Sequence, residues 1–550
     1  MRPGARSLAV VAVTALLAAL APPSPATAAT TFEVTTTADP PPGSCDLQDC
    51  SLREAILAAN ATPGTDTILV PAGTYRLELA GVDDTGVAGD LDITDATTIE
   101  ASGGEVTVDA NGAVTGERGF DIVSGTSTFR GIGVLGGIAP SAVNSPGLGG
   151  GIRVRSRLTM EGGSVWGNYA PGSGALGGGI YNTGGLTLVR TRVYGNGTQV
   201  GFGGGIANDA AGANADLHGV VLESNSSAFG GALAGRGSMT IEGSLIRGNV
   251  ADLGGAIYAG AGSSFYLTNT TVSGNAATSK GGAVRARNGL VPLASSTVTR
   301  NAAIVDAGGI STMDDGGGTT SVTLTNTILA GNFDQDGGGS AGPFPDCYQE
   351  SANTFRSNGY NLVGETTGCT IAANLGDQIG APGQPIDARL APLSFNGGSS
   401  LLLVTHGLER GSPAIDAGGS CGPTDARGVP RSLGGSCDIG AYELVFCGDL
   451  PVNRVGTPGD DRSSDPTLRP TAGDDGFLGL GGDDLLRGAG GVDALCGGRG
   501  ADALRGASGD DTIVGGPGPD LLVGGRGGDV CLGGGGLDTA RTCERVRGVP

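Results

Sequence analysis

Apolar residues recur along most of this chain at two periods, and neither is the helical one. From about residue 90 to 333 a Gly-Gly-x-apolar step returns every 24 to 28 residues. Its apolar residue is Ile152, Ile180, Ile206, Leu233, Ile257, Val284 and, in a step one residue shorter, Ile310. Between these steps apolar and polar residues alternate, as in Leu186-Thr-Leu188, which predicts short, half-buried strands. An x-x-Asn step follows each set: Asn168, Asn196, Asn225, Asn249, Asn275, Asn301 and Asn332. Coils of several short strands with Gly and Asn corners predict a right-handed parallel β-helix in an all-β chain. Asparagine tolerates left-handed turns, and stacked asparagines hydrogen-bond along a solenoid, so this column reads as structural.

The second period is nine. Residues 470–541 divide into eight consecutive units without insertion, such as Gly479-Leu-Gly-Gly-Asp-Asp-Leu-Leu-Arg487. Position four is always glycine and position eight always apolar. Position six is always aspartate: Asp475, Asp484, Asp493, Asp502, Asp511, Asp520, Asp529 and Asp538. Glycine supplies the turn and the apolar residue a one-sided strand that a lone unit cannot bury. Stacked units set aspartate beside aspartate. A hard cation with oxygen ligands, Ca²⁺ foremost, relieves that repulsion. These units resemble the RTX (haemolysin-type) calcium-binding repeat, which implies a parallel β-roll with Ca²⁺ between successive turns and the eight aspartates as metal ligands. Residues 456–461 look like half a repeat out of phase with the rest.

One stretch has helical spacing. In Cys45-Asp-Leu-Gln-Asp-Cys50-Ser-Leu-Arg-Glu-Ala55, Ser51 and Glu54 form the reciprocal pair of a capping box, and Leu52, Ile56 and Leu57 share a face. This resembles the CSLREA motif that opens secreted β-helix proteins, and implies a cap on the first coil. The coils resemble the repeats of polymorphic outer-membrane proteins and pectate-lyase-like solenoids. Asn358-Gly-Tyr-Asn-Leu-Val363, Gly411-Ser-Pro-Ala-Ile-Asp-Ala-Gly418 and Cys437-Asp-Ile-Gly-Ala-Tyr-Glu443 resemble the choice-of-anchor Q domain, which implies closing coils and a C-terminal cap.

The chain reads as a signal peptide (1–28), an N-terminal cap with first coils (30–90), β-helix repeats (91–333), C-terminal coils and cap (334–443), a linker (444–469) and a calcium-binding β-roll (470–550). The signal rests on Arg2 and Arg6, an apolar run over 8–21, and Ala26-Thr-Ala28. Ten cysteines in an exported chain read as disulfides. Their spacing suggests Cys45–Cys50, Cys347–Cys369, Cys421–Cys437 and Cys531–Cys543, leaving Cys447 with Cys496. The formal charge of −22 argues against nucleic acid and suits a cation binder. No later stretch reads as a transmembrane segment. Calcium ions are the expected partner, with cell-envelope or extracellular polysaccharide as a further one, and the expected location is extracellular.

β-Helices also carry polysaccharide lyases and glycosidases, so a secreted enzyme of that kind with a calcium-binding tail is the alternative. Its candidate groups are Asp252, Lys280 (the sole lysine) and Asp306, four or five residues before the recurring apolar position. A solvated loop with one ion pair is the favoured account of them. Aromatics are only 4% of the chain, with Trp166 the single tryptophan, so sugar-stacking platforms are scarce.

Overall fold

The computed structural model describes residues 29–549 except 83, 142–145, 315–317, 336–344, 351–352, 399–402, 420, 432 and 434. The signal-peptide segment, 1–28, lies outside the described residues.

One coil shows how the sequence winds. Ile180–Asn182 lies in a sheet of ten parallel strands. Gly185–Val189 and Arg192–Tyr194 enter a sheet of 23, and Gly197–Phe202 a sheet of seven. Successive coils then pair without offset: Ile152, Ile180, Ile206, Leu233, Ile257, Val284 and Ile310 form one column. Leu91 and Phe120 extend it at one end and Cys347 at the other. All are buried. Each side chain so enclosed contributes about 1.5–3 kcal/mol, which a single coil could not obtain. The molecule is a parallel β-helix followed by a parallel β-roll.

The asparagine column is a hydrogen-bond ladder. The Asn196 Oδ1 accepts both the backbone N–H (3.1 Å) and the side-chain amide (2.9 Å) of Asn168. The same paired contact repeats from Asn196 through Asn225, Asn249, Asn275 and Asn301 to Asn332. Each amide also donates to a carbonyl of a neighbouring coil, such as Leu222 for Asn249. Buried corners keep their polar groups paired this way, and leaving one unpaired costs about 1–3 kcal/mol.

At the N-terminal end the helix Leu52–Ala61 closes the core. Ser51 and Glu54 form the capping box, with the Glu54 N–H donating to Ser51 Oγ (3.3 Å) and the Ser51 N–H to Glu54 Oε2 (2.8 Å). Arg53 turns inward to a buried ion pair with Asp39 and donates to the carbonyls of Gly86, Gly89 and Asp90. A wholly buried guanidinium is tolerated because its donors are met.

The segment expected to close the stack also folds back along its flank. The Asn269 amide donates to the Thr424 carbonyl (3.0 Å), and buried Arg431 donates to Asn269 Oδ1 (3.1 Å) and pairs with Glu443. Asn326 holds the Asp438 carbonyl in the same way. The stretch read as a linker, 444–469, carries structure of its own. Val445, Cys447, Val452 and Val455 pack with Leu478 and Ala494 of the roll. Arg454–Val455 pairs with the roll's first strand.

Two nine-residue units make one turn of the roll, so equivalent residues lie 18 apart. Alternate units build two facing sheets of six and four strands. Phe477, Leu486, Leu495, Leu504, Ile513, Leu522 and Cys531 interleave between them at 0–1% exposure. The five disulfides are Cys45–Cys50, Cys347–Cys369, Cys421–Cys437, Cys447–Cys496 and Cys531–Cys543. Cys447–Cys496 fastens the junction to the roll.

Candidate metal centre

Each inner aspartate of the roll uses its two carboxylate oxygens differently. One oxygen is structural: Oδ1 of Asp502 accepts the backbone N–H of Asp484 at 2.9 Å, one turn earlier. The same bond links Asp475 to Asp493, Asp493 to Asp511, Asp502 to Asp520, Asp511 to Asp529 and Asp520 to Asp538. The other oxygen has no hydrogen-bond partner. Oδ2 of Asp484, Asp493, Asp502, Asp511, Asp520, Asp529 and Asp538 is buried and unsatisfied. Burial, with further help from neighbouring carboxylates, pushes Asp484 up to about 7 and Asp493 and Asp520 to about 6.

Those orphaned oxygens pack against the glycine at position one of the unit. A Cβ at Gly479 would sit 2.1 Å from Asp484 Oδ2 and 2.3 Å from the Gly497 carbonyl oxygen. At Gly515 a Cβ would meet Asp520 Oδ2 at 2.3 Å and the Gly533 carbonyl at 2.6 Å. Carboxylate and carbonyl oxygens, with no nitrogen or sulfur among them, are the donor set of a hard cation. The residues present fit Ca²⁺.

The rows run further than the nine-residue period shows, and one predicted member stands apart. Asp461 joins one row, its N–H donating to Asp484 Oδ1 at 2.9 Å. The half repeat at 456–461 is therefore a full member, shifted by the insert 465–469, from which Leu468 enters the roll's core. Glu544 ends the other row, accepting the Asp529 N–H at 2.7 Å. Asp475 is already satisfied. Its Oδ2 accepts from the N–H (2.6 Å) and hydroxyl (2.9 Å) of Thr471, and its Oδ1 pairs with Arg454 (3.1 Å). Thr457 serves Asp461 likewise, so a threonine closes the first site of each row.

The candidate groups of the β-helix do not assemble as expected. The column before the recurring apolar position is Leu176, Phe202, Phe229, Leu253, Lys280 and Asp306. Leu253, not Asp252, occupies the fourth place, because the true spacing is four residues and Asp252 sits at five. Asp252 instead accepts from the Thr278 hydroxyl (2.7 Å) at the surface. Lys280 Nζ is 2.5 Å from Asp306 Oδ2 and lies 5.0 Å over the Tyr348 ring. That is an ion pair shared by adjacent coils. The apolar half of the column was the more informative one: Phe202 stacks on Phe229 with centroids 4.5 Å apart. Phe202, Leu176 and Tyr258 line a cleft of about 440 Å³, with Asp209 and Arg236 at its edge.

Fold and site together define a parallel β-helix joined to a roll of calcium-binding repeats. The chain matches the family model described as RTX calcium-binding nonapeptide repeat (4 copies) over residues 471–504 and 505–540. These repeats bind Ca²⁺. Among solved structures, the chain is similar to the crystal structure of pectate lyase Pel9A. The identity is 16%, the TM-score 0.40, and the match covers 76% of this chain and 97% of that one. It is also similar to a mutant of the PL6 family alginate lyase AlyGC, at 10% identity and a TM-score of 0.29, over 88% of this chain and 75% of that one. Neither likeness bears on the activity of this chain. No curated protein matches it. Among the described residues, no helix is long and apolar enough to cross a membrane.

Proposed function

We propose that this is an exported calcium-binding solenoid whose roll folds on Ca²⁺ outside the cell, leaving the β-helix as a structural and adhesive surface. The inner aspartates Asp484, Asp493, Asp502, Asp511, Asp520, Asp529 and Asp538 hold the ions. The observation that carries this reading is the row of buried, unpartnered Oδ2 atoms. Ca²⁺ supplies positive charge where these oxygens and the position-one carbonyls converge. In a calcium-poor cell the rows repel and the roll is loose. Binding free energy becomes folding free energy once Ca²⁺ is available. A site held at a hundred times its Kd adds about 2.7 kcal/mol. Five disulfides suit an oxidising, extracellular setting.

The test is thermal unfolding of the full chain by circular dichroism in Ca²⁺, in Mg²⁺ and in chelator. Two transitions are expected, and the roll's should rise with Ca²⁺ while Mg²⁺ leaves it in place. A melting profile indifferent to Ca²⁺ would overturn the proposal.

A further inference from the structure

A second carboxylate cluster lies at the other end of the molecule, in the first coils of the β-helix. Asp92 and Asp121 are paired residues on adjacent strands, Leu91–Ile93 and Phe120–Ile122. Asp84 comes from the loop before them. One carboxylate oxygen from each of the three can be chosen so that all lie within 4.8 Å of one another.

An acidic cluster alone means little, but Asp92 is an exception to how buried carboxylates are held. It is 0% exposed, and neither of its oxygens has a hydrogen-bond partner. Its cluster mates are engaged. Asp121 accepts from Arg153 and Arg155, and Asp84 pairs with Arg155 at 2.7 Å. Close by, Asp90 pairs with Arg118 (2.7 Å) and Glu117 lies 3.6 Å from it. Five carboxylates thus meet three guanidiniums, which leaves an excess of two negative charges when all five are ionised. None of the three arginines reaches Asp92. Burial first, then Asp90 and Asp121, pushes the Asp92 carboxyl up to about 8, and the Gly86 amide tempers this from outside hydrogen-bond geometry. Burying an unpaired charge is costly enough that a partner or a proton must be supplied. Beside the cluster, Asp84, Arg118 and Arg153 line an open cleft of about 220 Å³.

We propose that Asp84, Asp92 and Asp121 form a divalent-cation site, of the Ca²⁺ class, that ties the first coils of the β-helix together. All three ligands are carboxylate oxygens, as a hard cation requires, and water completes the shell. Two added positive charges equal the local excess. The ion would bridge consecutive coils and the loop before them, at the first strand of the ten-stranded sheet.

Hydrogen exchange by mass spectrometry on the full chain separates this site from the roll. Adding Ca²⁺ should slow exchange several-fold in peptides covering 84–93 and 120–122. Asp92→Asn should abolish that protection while the roll's peptides keep theirs. Asp84→Asn, a change at an exposed position, should weaken it without disturbing the coils. Peptides of 84–93 that ignore Ca²⁺ while the roll responds would overturn the proposal, leaving Asp92 protonated. A roll that ignores Ca²⁺ while 84–93 responds would overturn the function proposed for the roll and leave this site standing.

Discussion

Asp346 accepts both the backbone N–H of Asn332 (3.1 Å) and its side-chain amide (2.9 Å), so the asparagine ladder of the β-helix ends on a carboxylate. Its second oxygen accepts the Glu365 N–H at 2.9 Å. Asparagine would serve Asn332 equally well. Aspartate brings a charge into a buried corner.

That charge gives the ladder a pH dependence. Burial pushes the Asp346 carboxyl up to about 7, against 3.8 for the free group. The folded state therefore holds a proton more tightly than the unfolded state. Stability from this group is greatest below about pH 4 and is lost as pH rises through 7. Comparing thermal unfolding of the parent and Asp346→Asn at pH 5 and pH 8 isolates it. The parent should lose roughly 1–3 kcal/mol more than the variant between the two. Equal losses would show that Asp346 does not titrate in this range.

His406 works in the opposite direction. It lies in the hairpin of Leu390–Ser394 and Thr405–Leu408. Its Nδ1–H donates to the Ala391 carbonyl (2.7 Å), so Nε2 accepts from the Ser273 hydroxyl (2.8 Å) on a coil strand. Burial holds the imidazole down at about 4, from 6.5. Here the unfolded state takes the proton first, so stability is present above pH 6.5 and is lost as pH falls towards 4. Protection of amides in Leu390–Ser394 and Thr405–Leu408, relative to their intrinsic exchange rates, should fall on acidification before that of the central coils. Ser273→Ala should raise exchange there at neutral pH by about 1 kcal/mol in opening free energy. A hairpin that stays protected at pH 4.5 would contradict this.

These two residues mark the limit of what the sequence made legible. Column positions were readable because each has one local cause. Ile180 repeats since every coil buries one side chain there, and Asp502 repeats since every turn needs an acceptor for a backbone N–H. Relationships that break a period were readable in part or not at all. Asp461 belongs to its row, yet five inserted residues shift it to 23 from Asp484 instead of 18. Glu544 replaces an aspartate because the Asp529 N–H needs a carboxylate, whatever the spacing. Asp252 stands one residue out of step with the column that runs through Leu253 to Lys280. The flank contacts of Arg431 with Asn269, and the meeting of Asp84 with Asp121, join residues that no motif links.

Within the roll, aspartates alike in sequence should differ in effect. Asp502→Asn removes charge from an oxygen with no other partner and keeps the bond to Asp484. Ca²⁺ affinity of the full chain, by calorimetry, should weaken about tenfold at the adjoining sites, or about 1.4 kcal/mol. Asp475→Asn alters a carboxylate already held by Thr471 and Arg454, and should change affinity less than about twofold, well under 0.5 kcal/mol. Equal losses from the two variants would mean that the threonine-closed position also binds the ion.

From Leu480 onward, positions two and four of the unit both demand a positive φ, and the alanines at position two predict a roll that can be stabilised. From Gly482 onward position four is closed to other residues. At Gly509 φ is +139°, and a Cβ would lie 1.6 Å from the Gly491 carbonyl oxygen one turn away. Gly509→Ala must therefore push the turns apart, costing more than about 3 kcal/mol. Position two is as crowded where it is glycine, a Cβ at Gly516 meeting the Gly498 carbonyl oxygen at 2.0 Å, and Leu480, Ala489 and Ala507 enter it at a smaller positive φ. Ala489 and Ala507 occupy it at φ of +79° and +89°, where an L-residue is strained by about 1–2 kcal/mol. Glycine relieves that strain, and its extra freedom in the unfolded chain takes back about 0.4–1 kcal/mol. The relief outweighs this loss, so Ala507→Gly should raise the roll's unfolding midpoint in Ca²⁺ by a few degrees, and Ala489→Gly with it somewhat more. A lower midpoint would show that the two alanines pack against the neighbouring turns more tightly than their strained backbone costs.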